Sequence, residues 1–110
     1  MVENIQAQMR KGVLEYCVLS IIAQREVYTS DILESLKKAN LIVVEGTIYP
    51  LLSRLKNAGY LSYRWQESTE GPPRKYFSLT QQGVELLETL DAEWAKIDHA
   101  VSSIKKTIKI

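Results

Sequence analysis

Between positions 47 and 58 the sequence places Tyr49, Pro50, Ser53 and Asn57 on one side of a helix, with Thr47 ahead of them and Arg54 and Lys56 beside them. Those side chains have the chemistry to read a duplex. Arginine bonds a guanine edge through two parallel hydrogen bonds, asparagine an adenine in the same way, and serine or tyrosine reaches a phosphate or a base edge. A second group, Arg64, Arg74 and Lys75, lies in two aromatic-rich runs farther on and suits phosphates or a minor groove. Charge points to the same region. The 110 residues carry 14 basic and 13 acidic groups for a net +1, so bulk attraction cannot by itself bring the chain to a polyanion or an anionic membrane. Divided by position, residues 1–46 hold five basic and six acidic groups, residues 47–79 five and two, and residues 80–110 four and five. The surplus of +3 in the middle third falls on the residues that would meet DNA.

Other chemistries are poorly supplied. Cys17 is the single cysteine and His99 the single histidine, which excludes an intramolecular disulfide, a multi-cysteine metal site and a two-histidine clamp. Cys17 reads as a buried, inert thiol on the inner face of a helix, and His99 as a surface residue. Asp91, Glu93 and Asp98 sit where a long helix needs solvated residues, not where a general acid and base would be paired. No nucleophile accompanies a base, so no enzyme, cofactor or metal is expected. Tyr63, Trp65, Tyr76 and Phe77 read first as hairpin and core packing, and only second as a base-stacking platform. Charges on a short helix and a hairpin are ordinarily a solvated face; the order of the elements is what favours DNA. No apolar run approaches the roughly 20 residues of a membrane span, and residues 1–12 lack the apolar centre of a secretory signal. A cytoplasmic protein is the expectation.

The elements that position these residues follow from periodicity. With 45% hydrophobic and 25% charged residues the chain describes one globular unit. Val13, Leu14, Cys17, Val18, Ile21 and Ile22 share a helical face, and Ile5 and Met9 extend that stripe backwards across Gly12. Capping side chains in Tyr28-Thr29-Ser30-Asp31 open a second helix that Asn40 ends. Leu41 to Val44 is β-branched and suits a buried linker or brief strand. Thr47 is placed to cap a third helix whose Ile48, Leu51, Leu52, Leu55 and Ala58 point inward, with Pro50 in its first turn and a left-handed turn at Asn57 to Gly59. The period then becomes two: Leu61, Tyr63 and Trp65 alternate with polar residues, residues 67–73 read as a long exposed tip, and residues 74–79 return as the second strand. Thr80 caps a last helix from Gln81 to about Ile108. Its Leu87, Leu90, Trp94, Ile97, Val101, Ile104 and Ile108 are spaced alternately three and four apart, the narrow seam of a coiled coil. An unpaired strip of that length calls for a partner, and a homodimer is inferred.

Two runs in this frame are specific. Glu45-Gly46-Thr47-Ile48-Tyr49-Pro50-Leu51-Leu52-Ser53-Arg54-Leu55 followed by Gly59 resembles the GTLYPLLxRL...G signature of the PadR family of winged-helix transcriptional regulators. Gly71-Pro72-Pro73-Arg74-Lys75-Tyr76-Phe77-Ser78-Leu79-Thr80 with Gly83 is similar to that family's wing motif, GxxRKYYxLTxxG, and Lys11 to Glu15 adds to the likeness. Thr29-Ser30 stands where many members have glycine, and Phe77 where tyrosine is common. The single carboxy-terminal helix is similar to the family's short subgroup. The resemblance implies a bacterial homodimeric repressor that binds a palindromic operator and releases it on a small-molecule or other signal, with the first and last helices forming the dimer. It also implies that Trp94 corresponds in position to an aromatic residue that stacks on flat drugs in one member; from the residues alone, dimer packing is the first use of Trp94.

The expected fold class is mainly α with a two-stranded β wing: a winged helix-turn-helix over residues 1–80 and a dimerisation helix over 81–110. The expected partners are double-stranded DNA, a second copy of the chain and a small-molecule effector at Trp94, with no membrane. The rival reading is a winged helix that binds protein and recognises no specific DNA.

Overall fold

In the computed structural model, which describes residues 2–107, the amino-terminal apolar stripe is divided between two helices, α1 (Val2–Arg10) and α2 (Leu14–Gln24). Gly12 lies in the turn between them, and the Val13 amide donates to the Arg10 carbonyl at 2.9 Å. The stripe breaks because only α2 has a core to face. Val18, Leu19 and Ile22 are buried, whereas Ile5 and Met9 are exposed.

Helix α3 (Thr29–Lys38) is opened by Asp31, whose carboxylate accepts the Tyr28 amide at 3.2 Å. Thr29 and Ser30 are spent inside the first turn, so the cap reaches back from the third helical position. Asn40, with φ of 64°, closes α3 as expected, and the Leu41 amide donates to the Leu36 carbonyl at 2.8 Å. The segment Leu41–Val44 is neither strand nor buried throughout. Leu41 and Val43 pack on the core while Ile42 and Val44 face out.

Helix α4 (Glu45–Asn57) begins two residues before Thr47, which therefore lies in its first turn instead of capping it. Pro50 consequently falls in the second turn, where its missing N–H leaves the Gly46 carbonyl without its helical donor. Burial of Ile48, Leu51, Leu52 and Leu55 holds the helix together across that gap. Ala58 is exposed, as the helix ends there in a left-handed cap at Gly59 (φ 91°), with the Tyr60 amide on the Leu55 carbonyl at 3.0 Å.

Strands β1 (Leu61–Ser68) and β2 (Gly71–Leu79) pair antiparallel from Leu61 opposite Leu79 to Ser68 opposite Gly71. The hairpin is longer and its tip tighter than the seven-residue loop expected from the prolines. Pro72 and Pro73 lie opposite Glu67 in an irregularity of the ladder, where no amide donor is needed. Phe77 also exchanges two backbone bonds with Val27, at 2.7 and 3.2 Å, adding a one-residue third strand with no period by which the sequence could announce it.

Thr80 caps α5 (Gln81–Thr107) as expected: its hydroxyl accepts the Gly83 amide at 3.1 Å and donates to the Gly59 carbonyl at 2.6 Å. At about 1.5 Å per residue α5 is roughly 40 Å long. Leu86, Leu87 and Leu90 pack against the core, Asp91 and Trp94 still touch Tyr16 of α2, and Ile97, Val101 and Ile104 beyond them are exposed.

Candidate nucleic-acid interface

Because α4 buries Ile48, Leu51, Leu52 and Leu55, its opposite side carries Tyr49, Ser53, Lys56 and Asn57 into solvent. The hairpin folds back so that its Tyr63, Trp65, Arg74 and Lys75 face that side across a cleft of about 660 Å³. The loop and first turn of α3, with Tyr28, Thr29 and Ser30, complete the wall. Most of the residues selected from the sequence thus meet in one place. Thr47 and Pro50 are exposed on α4 but outside the cleft lining.

The arginines divide. Arg54 pairs with Glu15 of α2 at 3.6 Å, and Arg64 is held by both oxygens of Glu26 at 2.8 and 3.1 Å. The Arg64 hydrogen bonds draw the Glu26 carboxyl below its usual range, and Glu26 in turn raises Arg64. Arg64 therefore braces the wing and does not line the cleft. Lys56, Arg74 and Lys75 do line it, and none of the three has a carboxylate partner among the described residues. They rest on rings instead. Lys75 Nζ is 4.5 Å from the Tyr63 ring centre and 5.3 Å from that of Trp65, Lys56 Nζ is 5.6 Å from Tyr63, and Arg74 lies 4.7 Å over Tyr28. Against these three cations the cleft lining offers a single carboxylate, Glu45.

Aromatic packing fixes the wing at this angle. Arg74 covers Tyr28, Tyr28 meets Tyr76 edge-on at 5.3 Å, and Arg64 covers Tyr76 at 5.2 Å before reaching Glu26. Sequence reasoning missed Tyr28 and Glu26 in this ladder. Neither stands at a helical or strand interval from the residues it touches, although an acid and an aromatic two positions apart in a short loop were a legible prompt.

The sequence pattern described as the transcriptional regulator PadR-like family matches residues 18–89, from α2 into α5. A PadR-like transcription factor of known structure from Bacteroides fragilis is 53% identical over 92% of this chain and 98% of its own, with a TM-score of 0.78. The PadR-like transcriptional regulator of Bacillus cereus is 39% identical over 88% and 95%, again with a TM-score of 0.78. This chain belongs to the PadR-like family. As such it is a transcriptional regulator and not an enzyme. Bacillus subtilis PadR, solved in complex with operator DNA, is 25% identical over 71% of this chain and 46% of its own, with a TM-score of 0.66.

Along the outer part of α5, Trp94, Ile97, Val101 and Ile104 are 43, 55, 46 and 59% exposed, while Leu87 and Leu90 of the same seam are half-buried against their own core. Ile108 lies outside the described residues. Trp94 meets Tyr16 of α2 at 6.2 Å between ring centres, and the Tyr16 hydroxyl donates to Asp91 at 2.5 Å, which raises the phenol's pKa. Cys17 is partly buried and its thiol is pushed up by desolvation, the environment of an inert thiol. No helix among the described residues is long and apolar enough to cross a membrane.

Proposed function

We propose that this PadR-like regulator binds double-stranded DNA in the cleft between α4 and the wing, with α4 in the major groove and the wing on the adjacent backbone. The observation that carries this reading is the sorting of cations. Lys56, Arg74 and Lys75 converge beside Tyr49, Ser53 and Asn57 with no carboxylate partner among the described residues, while Arg54 and Arg64 are already paired with Glu15 and Glu26. Ser53 and Asn57 read base edges, and the three cations supply affinity and register through phosphates. The operator-bound relative from Bacillus subtilis supports the same use of the shared fold.

Two copies act together. The stripe Trp94, Ile97, Val101 and Ile104 covers successive turns of a helix beyond the residues that pack on its own core, and a second copy of the same stripe buries it with two-fold symmetry. Residues 1–80 are the reading unit and 81–110 the dimerisation helix, with Leu87 and Leu90 shared between the core and the seam. Two reading heads about 34 Å apart then match a palindrome. The regulator is a cytoplasmic repressor, and a small-molecule effector would act at Trp94, where the seam and the Tyr16 ring adjoin. Selection of duplexes from a random pool tests the DNA reading directly. Enrichment of a palindrome is expected; a pool left unenriched would turn the assignment toward a protein-binding winged helix.

A further inference from the structure

Two of the free cations in the cleft share a ring. Lys56 comes from the last turn of α4 and Lys75 from β2, yet both ammonium groups lie over Tyr63, at 5.6 and 4.5 Å from its centre. They are therefore no more than about 10 Å apart, and their flexible stems bring both to one anion. Tyr63 itself is half-buried and fixed by Phe77 at 5.9 Å and by Trp65, set edge-on at 6.2 Å. A ring face holds an exposed ammonium by only about 0.5–1 kcal/mol. It keeps the two cations oriented and then yields them to a stronger partner. A single phosphate placed between them accepts a charge-assisted hydrogen bond from each.

We propose that Lys56 and Lys75 grip the same backbone phosphate, with Tyr63 as the positioning residue between them. The inference rests on the DNA reading above and adds to it. One phosphate held from both sides fixes how far the wing stands from α4, and hence how deeply α4 enters the groove. The test uses the full-length chain and its selected operator, in which one phosphate at a time in each half-site is replaced by an uncharged methylphosphonate. Lys56→Ala and Lys75→Ala should each weaken binding about tenfold, and the double variant by little more than either alone. A single methylphosphonate position should erase the effect of both. Tyr63→Leu should weaken binding several-fold with the salt slope nearly unchanged and Tyr63→Phe should restore it, with thermal melts used to check that both variants fold. Losses that multiply to about a hundredfold, with separate sensitive phosphates for the two lysines, would overturn the shared grip while leaving DNA binding intact. Wild-type protein that retains no duplex would refute the DNA reading and the grip with it.

Discussion

Gly83 is where α5 touches the turn between α4 and β1, and a methyl group there should loosen the whole attachment. A Cβ at position 83 would lie 2.2 Å from the Tyr60 carbonyl oxygen, 3.2 Å from its carbon and 3.4 Å from the Leu79 Cβ. The first of these is about 1 Å inside contact distance and is backbone, so no rotamer relieves it. That carbonyl also accepts the Thr80 amide at 3.1 Å, and Thr80 holds Gly59 through its hydroxyl at 2.6 Å. Relief by moving α5 therefore strains two hydrogen bonds worth about 1 kcal/mol each, on top of about 1–3 kcal/mol of overpacking. Alanine's better helix propensity returns up to about 1 kcal/mol. Gly83→Ala should thus cost about 2–4 kcal/mol and lower Tm by roughly 10–15 °C, read by far-ultraviolet circular dichroism at fixed protein concentration. Gly46→Ala is the internal control. It lies in the first turn of α4 with nothing within 4 Å of a built Cβ, and should be neutral or stabilising by up to about 1 kcal/mol. If Gly83→Ala melts at or above wild type, the close approach of α5 to Tyr60 is wrong.

Other expectations concern charge and assembly. Glu26 is held below its ordinary pKa by Arg64, so its share of stability is present above the unfolded carboxyl's pKa and disappears as acid takes the pH down through the lowered value; Glu26→Gln should flatten that acid limb of a Tm profile. Arg74→Ala should lower the slope of log K against log salt by about 0.9 per contact and protomer, whereas Arg54→Ala, already paired with Glu15, should leave the slope unaltered; equal changes would contradict the sorting of cations. Val101→Asp and Ile104→Asp, exposed on the outer seam, should give folded monomers in sedimentation with weak operator binding, and persistence of the dimer would move the interface elsewhere. Leu90→Asp is unsuited to that purpose, because Leu90 also packs on its own core and the variant should melt early. With Trp94→Phe leaving Trp65 as the sole indole, DNA should change the emission of this cleft residue, and an unmoved spectrum would place the duplex outside the cleft.

Much of the molecule was written in local spacing. The periods of 3.6 and 2, the caps at Asn40, Gly59 and Thr80, and the paired motifs around Tyr49 and Arg74 are properties of neighbours a few residues apart, and a helix or strand converts such neighbours into a face without outside help. On that basis the helices, the hairpin, the family and six of the cleft residues, Tyr49, Ser53, Lys56, Asn57, Arg74 and Lys75, were readable in advance. Tertiary structure alone decided which cations are free. Arg54 and Arg64 resemble Lys56 and Arg74 in sequence, but their carboxylate partners, Glu15 and Glu26, come from α2 and the turn after it, and no local period connects them. The same holds for the Phe77 bridge to Val27, for the break at Gly12 where the core ends, and for the division of the α5 seam at Leu90 between what its own body covers and what is left open. Periodicity specifies which side of an element is apolar, whereas the partner that meets that side is chosen by the packing of segments distant in the chain.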